Sequence, residues 1–156
     1  MGQLPKGSIK LIEIISEVSA KPVIDLQKTI FKFAKEDLKI GLATSDSHDS
    51  AIATLGLFNI LDHFDFICGY DSGYGVKPGG GMVLGFCEHT GVDPSEVVVV
   101  GDNAHDMEMA VAANVILRVG VLTGTSSEQE LAALADVVIP SISDLSSIID
   151  QFNAGE

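Results

Sequence analysis

Apolar positions along the chain follow two different periods. Over residues 8 to 19, Leu11, Ile14, Ile15 and Val18 share one side of a helical pattern, with Ser8 placed to cap its first turn. After Lys21-Pro22 a second helical pattern carries Val23, Leu26, Ile30, Phe33 and Ala34 on one side and Lys28, Lys32 and Lys35 on the other. From Lys39 to Ala43 the chain is apolar for a short run that stops at Thr44-Ser45-Asp46-Ser47, a cluster of helix-capping types. Strand, loop and helix are therefore predicted in succession, the helix covering His48 to Leu57.

The alternation repeats to the end of the chain. Asp65 to Cys68 reads as a buried strand, followed by a glycine-rich loop from Gly69 to Gly75. A helix is predicted after Lys77-Pro78, with Pro78 in its first turn, Met82, Val83, Phe86 and Cys87 on its apolar side, and Gly91 as its stop. Val97 to Val100, four consecutive β-branched residues, suits a strand buried on both faces. Beyond it come a helix from Ala104 to Ala113, a strand near Val115 to Val119, a helix near Ser127 to Leu134, a strand from Val137 to Ile139 and a final helix from Ser143. Five strands interleaved with helices predict an α/β fold built on a doubly wound parallel sheet.

Composition adds limits. A chain of 156 residues can bury a substantial core as one domain. No apolar stretch approaches the roughly 20 residues of a membrane-spanning helix. Met1 to Lys6 lacks the pattern of a secretory signal, so a cytoplasmic protein without a membrane partner is expected. Cys68 and Cys87 do not form a C-x-x-C pair and read as small buried apolar residues. A formal charge of −13 argues against nucleic-acid binding, which needs clustered cations. Seven of the nine cations lie at or before Lys39, which singles out Lys77 and Arg118 as isolated cations in an acidic remainder.

In open parallel sheets, ligands bind beyond the carboxyl ends of the strands, where backbone N–H groups of the following loops converge. The first predicted strand delivers Thr44 and Ser45 there, the second leads through its loop to Lys77, and the valine strand delivers Asp102 and, four residues on, Asp106. Asp102 suits Mg²⁺, a hard cation that takes one or two protein carboxylates plus water and phosphate oxygens. Asp106 sits where it can hold a metal-bound water or cap the next helix. Lys77 can neutralise a phosphoryl group, and Thr44 can equally be a simple helix cap.

Taken in order, Leu42-Ala43-Thr44-Ser45, Val76-Lys77-Pro78 and Gly101-Asp102-Asn103-Ala104-His105-Asp106 resemble the later motifs of the haloacid-dehalogenase-like hydrolases, over about Pro22 to Leu145. The flanking pattern is most similar to the phosphoglycolate-phosphatase-like branch. The resemblance implies a Rossmannoid sheet and Mg²⁺-dependent hydrolysis of a small phosphorylated metabolite through an aspartyl-phosphate. By the same resemblance, Thr44 and Lys77 are the catalytic residues of this chain, Thr44, Ser45 and Lys77 bind phosphate, and Asp102 and Asp106 serve the metal. The Gly69 to Gly75 loop would border that site.

The family's first motif, D-x-D-G-T, which carries the nucleophile, does not occur in these 156 residues. Asp25 is the one early aspartate flanked by apolar residues, and it reads as helical. The resemblance places the first-motif strand at the centre of the sheet, between the strands at Lys39 to Ala43 and Val97 to Val100. A gap is therefore expected there, with residues 1–20 a remnant of a helical cap and 21–156 a partial core, inactive alone. The uncovered apolar face of residues 8 to 19 would favour a homodimer or domain swap. The rival expectation is a non-catalytic interaction or regulatory module of the same fold. A nucleotide-binding glycine motif at Gly73 and Gly75 lacks its third glycine.

Overall fold

The computed structural model describes residues 23–122 and 126–154. The helix expected over residues 8 to 19, and with it the cap remnant over residues 1–20, lies outside the described residues.

Helix α1, Val23–Lys35, buries Leu26, Ile30 and Phe33 and presents its lysines to solvent. Asp25 stands in its first turn and Lys32 and Lys35 in its last, the polarity the helix dipole favours. The chain then alternates through β1 (Gly41–Ala43), α2 (His48–Leu57), β2 (Phe66–Cys68), α3 (Gly81–Thr90), β3 (Val98–Gly101), α4 (Ala104–Ala113), β4 (Leu117–Val121), α5 (Glu128–Ala132), β5 (Val137–Ile139) and α6 (Leu145–Ala154). All strand pairs are parallel. They form a two-stranded sheet, β1-β2, and a three-stranded sheet, β3-β4-β5, and among the described residues β1 and β3 do not pair.

Side-chain alternation shows that both sheets belong to one layer. Leu42 of β1 and Val98 and Val100 of β3 join Val119, Ile139 and residues of α1, α2 and α6 in one apolar cluster. Ala43 and Val99 point the other way, into a cluster with Met82 and Phe86 of α3, Met107 and Ala110 of α4 and Leu131 of α5. Helices thus cover both faces, as a doubly wound sheet requires.

At the amino-terminal edge two aspartate side chains add bonds to the parallel strand pairs. Asp65 N donates to Ile40 O at 2.8 Å while Asp65 Oδ2 accepts from Ile40 N at 2.9 Å, closing the β1-β2 pair with a side chain. Asp136 repeats the device on β4: its N donates to Arg118 O and its Oδ2 accepts from Arg118 N, each at 2.8 Å. Arg118 adds a bond from Nε to Leu134 O at 2.7 Å and an ion pair with Asp136 at 3.4 Å, which accounts for this isolated cation as a structural one.

The expectation that Pro78 opens a helix is corrected. The Lys77-Pro78 bond is cis, Gly79 N closes a turn on Val76 O at 3.0 Å, and α3 begins only at Gly81. Gly91 does end α3, in the left-handed conformation at φ 77° that glycine adopts without steric cost.

Both cysteines are buried. Burial pushes the Cys87 thiol from its ordinary 9.0 up to about 11, with Asp93 acting in the same direction. Because the unfolded thiol ionises first, the stability contributed by Cys87 is complete below pH 9 and is lost as pH rises towards 11. Urea unfolding at pH 8 and pH 10.5 should therefore show a fall in stability that Cys87→Ala reduces, and neither native thiol should react with Ellman's reagent at pH 8.

Candidate active site

The carboxyl ends of β1 and β3 meet the loop from β2 at a buried polar cluster. At the end of β1, Thr44 is 2% exposed; its N donates to Cys68 O at 2.9 Å, carrying the β1-β2 pairing one step past the strand. Its Oγ1 accepts from Asp46 N at 3.1 Å, so the hydroxyl shapes the turn that leads to Ser47, the N-cap of α2. Ser45 is exposed on the same turn.

At the end of β3, Asp102 is 3% exposed and Asp106 is fully buried. Asn103 caps α4 and forms a reciprocal box with Asp106: Asn103 Oδ1 accepts from Asp106 N at 3.2 Å, and Asp106 Oδ2 accepts from Asn103 N at 3.3 Å. The same Oδ2 accepts from Asp102 N at 3.2 Å. A Cβ on Gly101 would overlap the Asp106 carboxylate, so this residue must be glycine for the acid to fold back over the strand end.

Lys77 arrives from the far side of the cluster. Its Nζ donates to Asp106 Oδ1 at 2.5 Å, with side chains 3% and 0% exposed. Its charge also reaches β2: burial holds the Cys68 thiol above its usual range, and the Lys77 ammonium is one of the weaker influences that oppose the rise. Cys68 is the residue whose carbonyl binds Thr44 N at the end of β2.

Of the residues singled out in the sequence, Lys77 and the backbone of Asp102 are therefore both bonded to Asp106, while Thr44 stands on the turn that the loop leading to Lys77 grips through Tyr70 N and Asp46 O. The expectation that Asp106 serves the metal beside Asp102 meets a carboxylate with both oxygens engaged, one on an ammonium and one on two backbone N–H groups. Ser126, which no sequence pattern marked, accepts from Ala104 N at 3.1 Å and so reaches the start of α4 from the loop after β4. A separate cleft of about 580 Å³ beside β2, lined by His48, Asp65, Asp71, Tyr74 and His89 among others, contains none of the cluster's side chains.

Charged and hydroxyl groups gathered at the carboxyl rim of a doubly wound sheet place the chain among the α/β proteins whose ligand chemistry sits at strand ends. Within that class, residues 6–119 match the model of the haloacid dehalogenase-like hydrolases, and the chain belongs to that family. It is 31% identical over 108 residues to the phosphoglycolate phosphatase of Chromobacterium violaceum, covering 69% of this chain and 47% of that protein. It is 40% identical over 73 residues to the D-glycero-beta-D-manno-heptose-1,7-bisphosphate 7-phosphatase of Escherichia coli, covering 47% and 38%. The solved beta-phosphoglucomutase of Clostridium difficile has the same fold, with a TM-score of 0.69 at 24% identity over 83% of this chain and 56% of that one. The chain spans about half the length, or less, of the curated relatives it matches.

Removing Asp106 would leave a buried ammonium without its carboxylate and open the cap of α4. Asp106→Ala should cost about 3 kcal/mol or more of stability, against a small change for the exposed control Glu108→Ala, both read from urea denaturation.

Proposed function

We propose that this chain supplies the phosphate- and metal-binding half of a Mg²⁺-dependent phosphatase that acts on a small phosphorylated metabolite. The observation that supports the reading is the ion pair of Lys77 with Asp106, buried beside Asp102 at the end of β3. A structural ion pair has no need of a third acid beside it, whereas a phosphate site needs a cation and a metal ligand together.

The donor chemistry fits Mg²⁺. Asp102 offers a buried hard oxygen, and no group of three or more potential metal ligands occurs among the described residues, so water and substrate oxygens would complete the shell, as this ion commonly accepts. When bound, the ion supplies charge neutralisation to the phosphoryl oxygens.

The chain's own residues do the rest. Lys77 binds a phosphoryl oxygen and steadies its charge, while Asp106 fixes where the ammonium points. The Thr44 hydroxyl already accepts from Asp46 N and has its proton left to donate to the phosphoryl group, with Ser45 on the same turn as a second donor. The nucleophilic aspartate has no counterpart of the D-x-D-G-T motif here, and we place it on polypeptide outside these 156 residues, on a strand entering between β1 and β3. A homodimer or domain swap is one way to fill that place. The reaction is assigned to the cytoplasm.

Calorimetry with tungstate and Mg²⁺ tests the binding half. The chain should bind tungstate, Lys77→Ala should weaken it by about tenfold or more, equivalent to about 1.4 kcal/mol, and Asp102→Ala should remove its dependence on Mg²⁺. A wild-type chain that ignores tungstate while forming a stable dimer would instead favour a non-catalytic module. With p-nitrophenyl phosphate the chain should show no steady turnover. Mg²⁺-dependent turnover lost in Asp102→Ala would overturn the placement of the nucleophile elsewhere.

A further inference from the structure

The segment that carries Lys77 to the rim is tied down at two places. Its first half is bonded to the start of α2: Tyr70 N donates to Asp46 O at 3.0 Å and His48 N to Asp71 Oδ1 at 2.9 Å. Its second half, Gly73 to Val76, is exposed, and there the side chain that engages the body of the protein is Tyr74.

The local sequence is built around that ring. Gly73 and Gly75 have φ of 93° and 87°, left-handed backbone that bends the chain on either side of Tyr74 and that a residue with a Cβ would adopt only under strain. Helix α3 offers the tyrosine a notch one turn long. A Cβ on Gly85 would overlap the Tyr74 ring, and one on Gly81 would overlap the Tyr74 carbonyl oxygen. Phe66 of β2 closes the seat edge-on, with ring centroids 5.6 Å apart and planes at 66°. Two glycines that bend the backbone, two on α3 that clear space for its carbonyl and its ring, and an aromatic neighbour thus accommodate one residue, three before Lys77.

A lysine side chain is a long, flexible stem, and holding it buried in one geometry requires that both its ends be placed. Asp106 fixes the tip. Three residues span at most about 10 Å, so whatever fixes residue 74 restricts where the Cα of Lys77 can stand. We infer that Tyr74 is a positioning residue for Lys77: its ring, seated on Gly85 of α3, fixes the root of the lysine whose ammonium Asp106 holds. The functional consequence, and only that, rests on the proposed phosphate site.

Two measurements separate this inference from that reading. In limited acetylation with acetic anhydride read by mass spectrometry, native Lys77 should be protected while the exposed Lys28 and Lys35 react. Tyr74→Ala and Gly85→Ala should each raise Lys77 labelling by about fivefold or more, and Tyr74→Phe should retain protection because the ring makes the contacts. Leu84→Ala, on the exposed side of α3, should leave it unchanged. Thermal unfolding of each variant identifies any that fail to fold, and Tyr74→Ala and Gly85→Ala attack the seat from opposite sides. Protected Lys77 in a folded Tyr74→Ala or Gly85→Ala chain overturns the inference. Tungstate affinity should fall by about tenfold in Tyr74→Ala and be restored in Tyr74→Phe. If the wild-type chain binds no tungstate, the phosphate reading falls, and the Lys77 labelling pattern alone then decides the role of Tyr74.

Discussion

The carboxylate of Asp106 is the point on which the rim of this sheet depends. Buried between β3 and α4, it takes the Lys77 ammonium on one oxygen and the backbone N–H groups of Asp102 and Asn103 on the other. Either charge alone in that place would face a desolvation penalty of several kcal/mol, so each is held by the other and by the hydrogen bonds around it. One side chain therefore settles three things together: where the ammonium points, how the loop carrying Asp102 leaves β3, and where α4 begins. Gly101 is the residue that makes room for it.

The parallel architecture explains why such a cluster forms where it does. Every strand runs the same way, so all carboxyl ends and the loops that follow them lie on one edge. At the opposite edge the chain uses aspartates for a different purpose, with Asp65 and Asp136 each closing a strand pair by binding both backbone groups of a residue on the neighbouring strand. Asp65 and Asp136 thus belong to a structural edge, and Asp102 and Asp106 to the carboxyl edge. The division between β1-β2 and β3-β4-β5 falls between the two strands that carry Thr44 and Asp102. A site assembled there from β1 and β3 is bridged, among the described residues, by Lys77 and its loop rather than by direct strand pairing.

Family membership and shared fold bear on this rim unequally. Similarity to phosphatases across part of their length places the chain among the haloacid dehalogenase-like hydrolases. The relatives' names differ in substrate and a common fold hosts many chemistries, so the likeness carries the family and the fold.

The sequence by itself determined the order and type of the described elements, since the change of apolar period from helix to strand is local and strong in Val98–Gly101, in Gly81–Thr90 and in α1. It also marked Thr44, Lys77, Asp102 and Asp106 as strand-end groups, because motif spacing in a parallel sheet fixes which edge a residue reaches. The strands expected from Lys39 and Val115 begin at Gly41 and Leu117, and at Ile40 the Asp65 side chain takes the backbone N–H, which hydropathy does not register. Pro78 looked like a first-turn residue, and only the turn closed by Gly79 moved the helix start to Gly81. Tertiary structure alone decided that Asp106 is engaged on both oxygens, that Arg118 is spent on Asp136, and that Tyr74 sits in a notch of α3. Those outcomes depend on contacts between residues distant along the chain, 29 positions for Lys77 and Asp106 and 18 for Arg118 and Asp136, and no local period encodes which buried charge will find which partner.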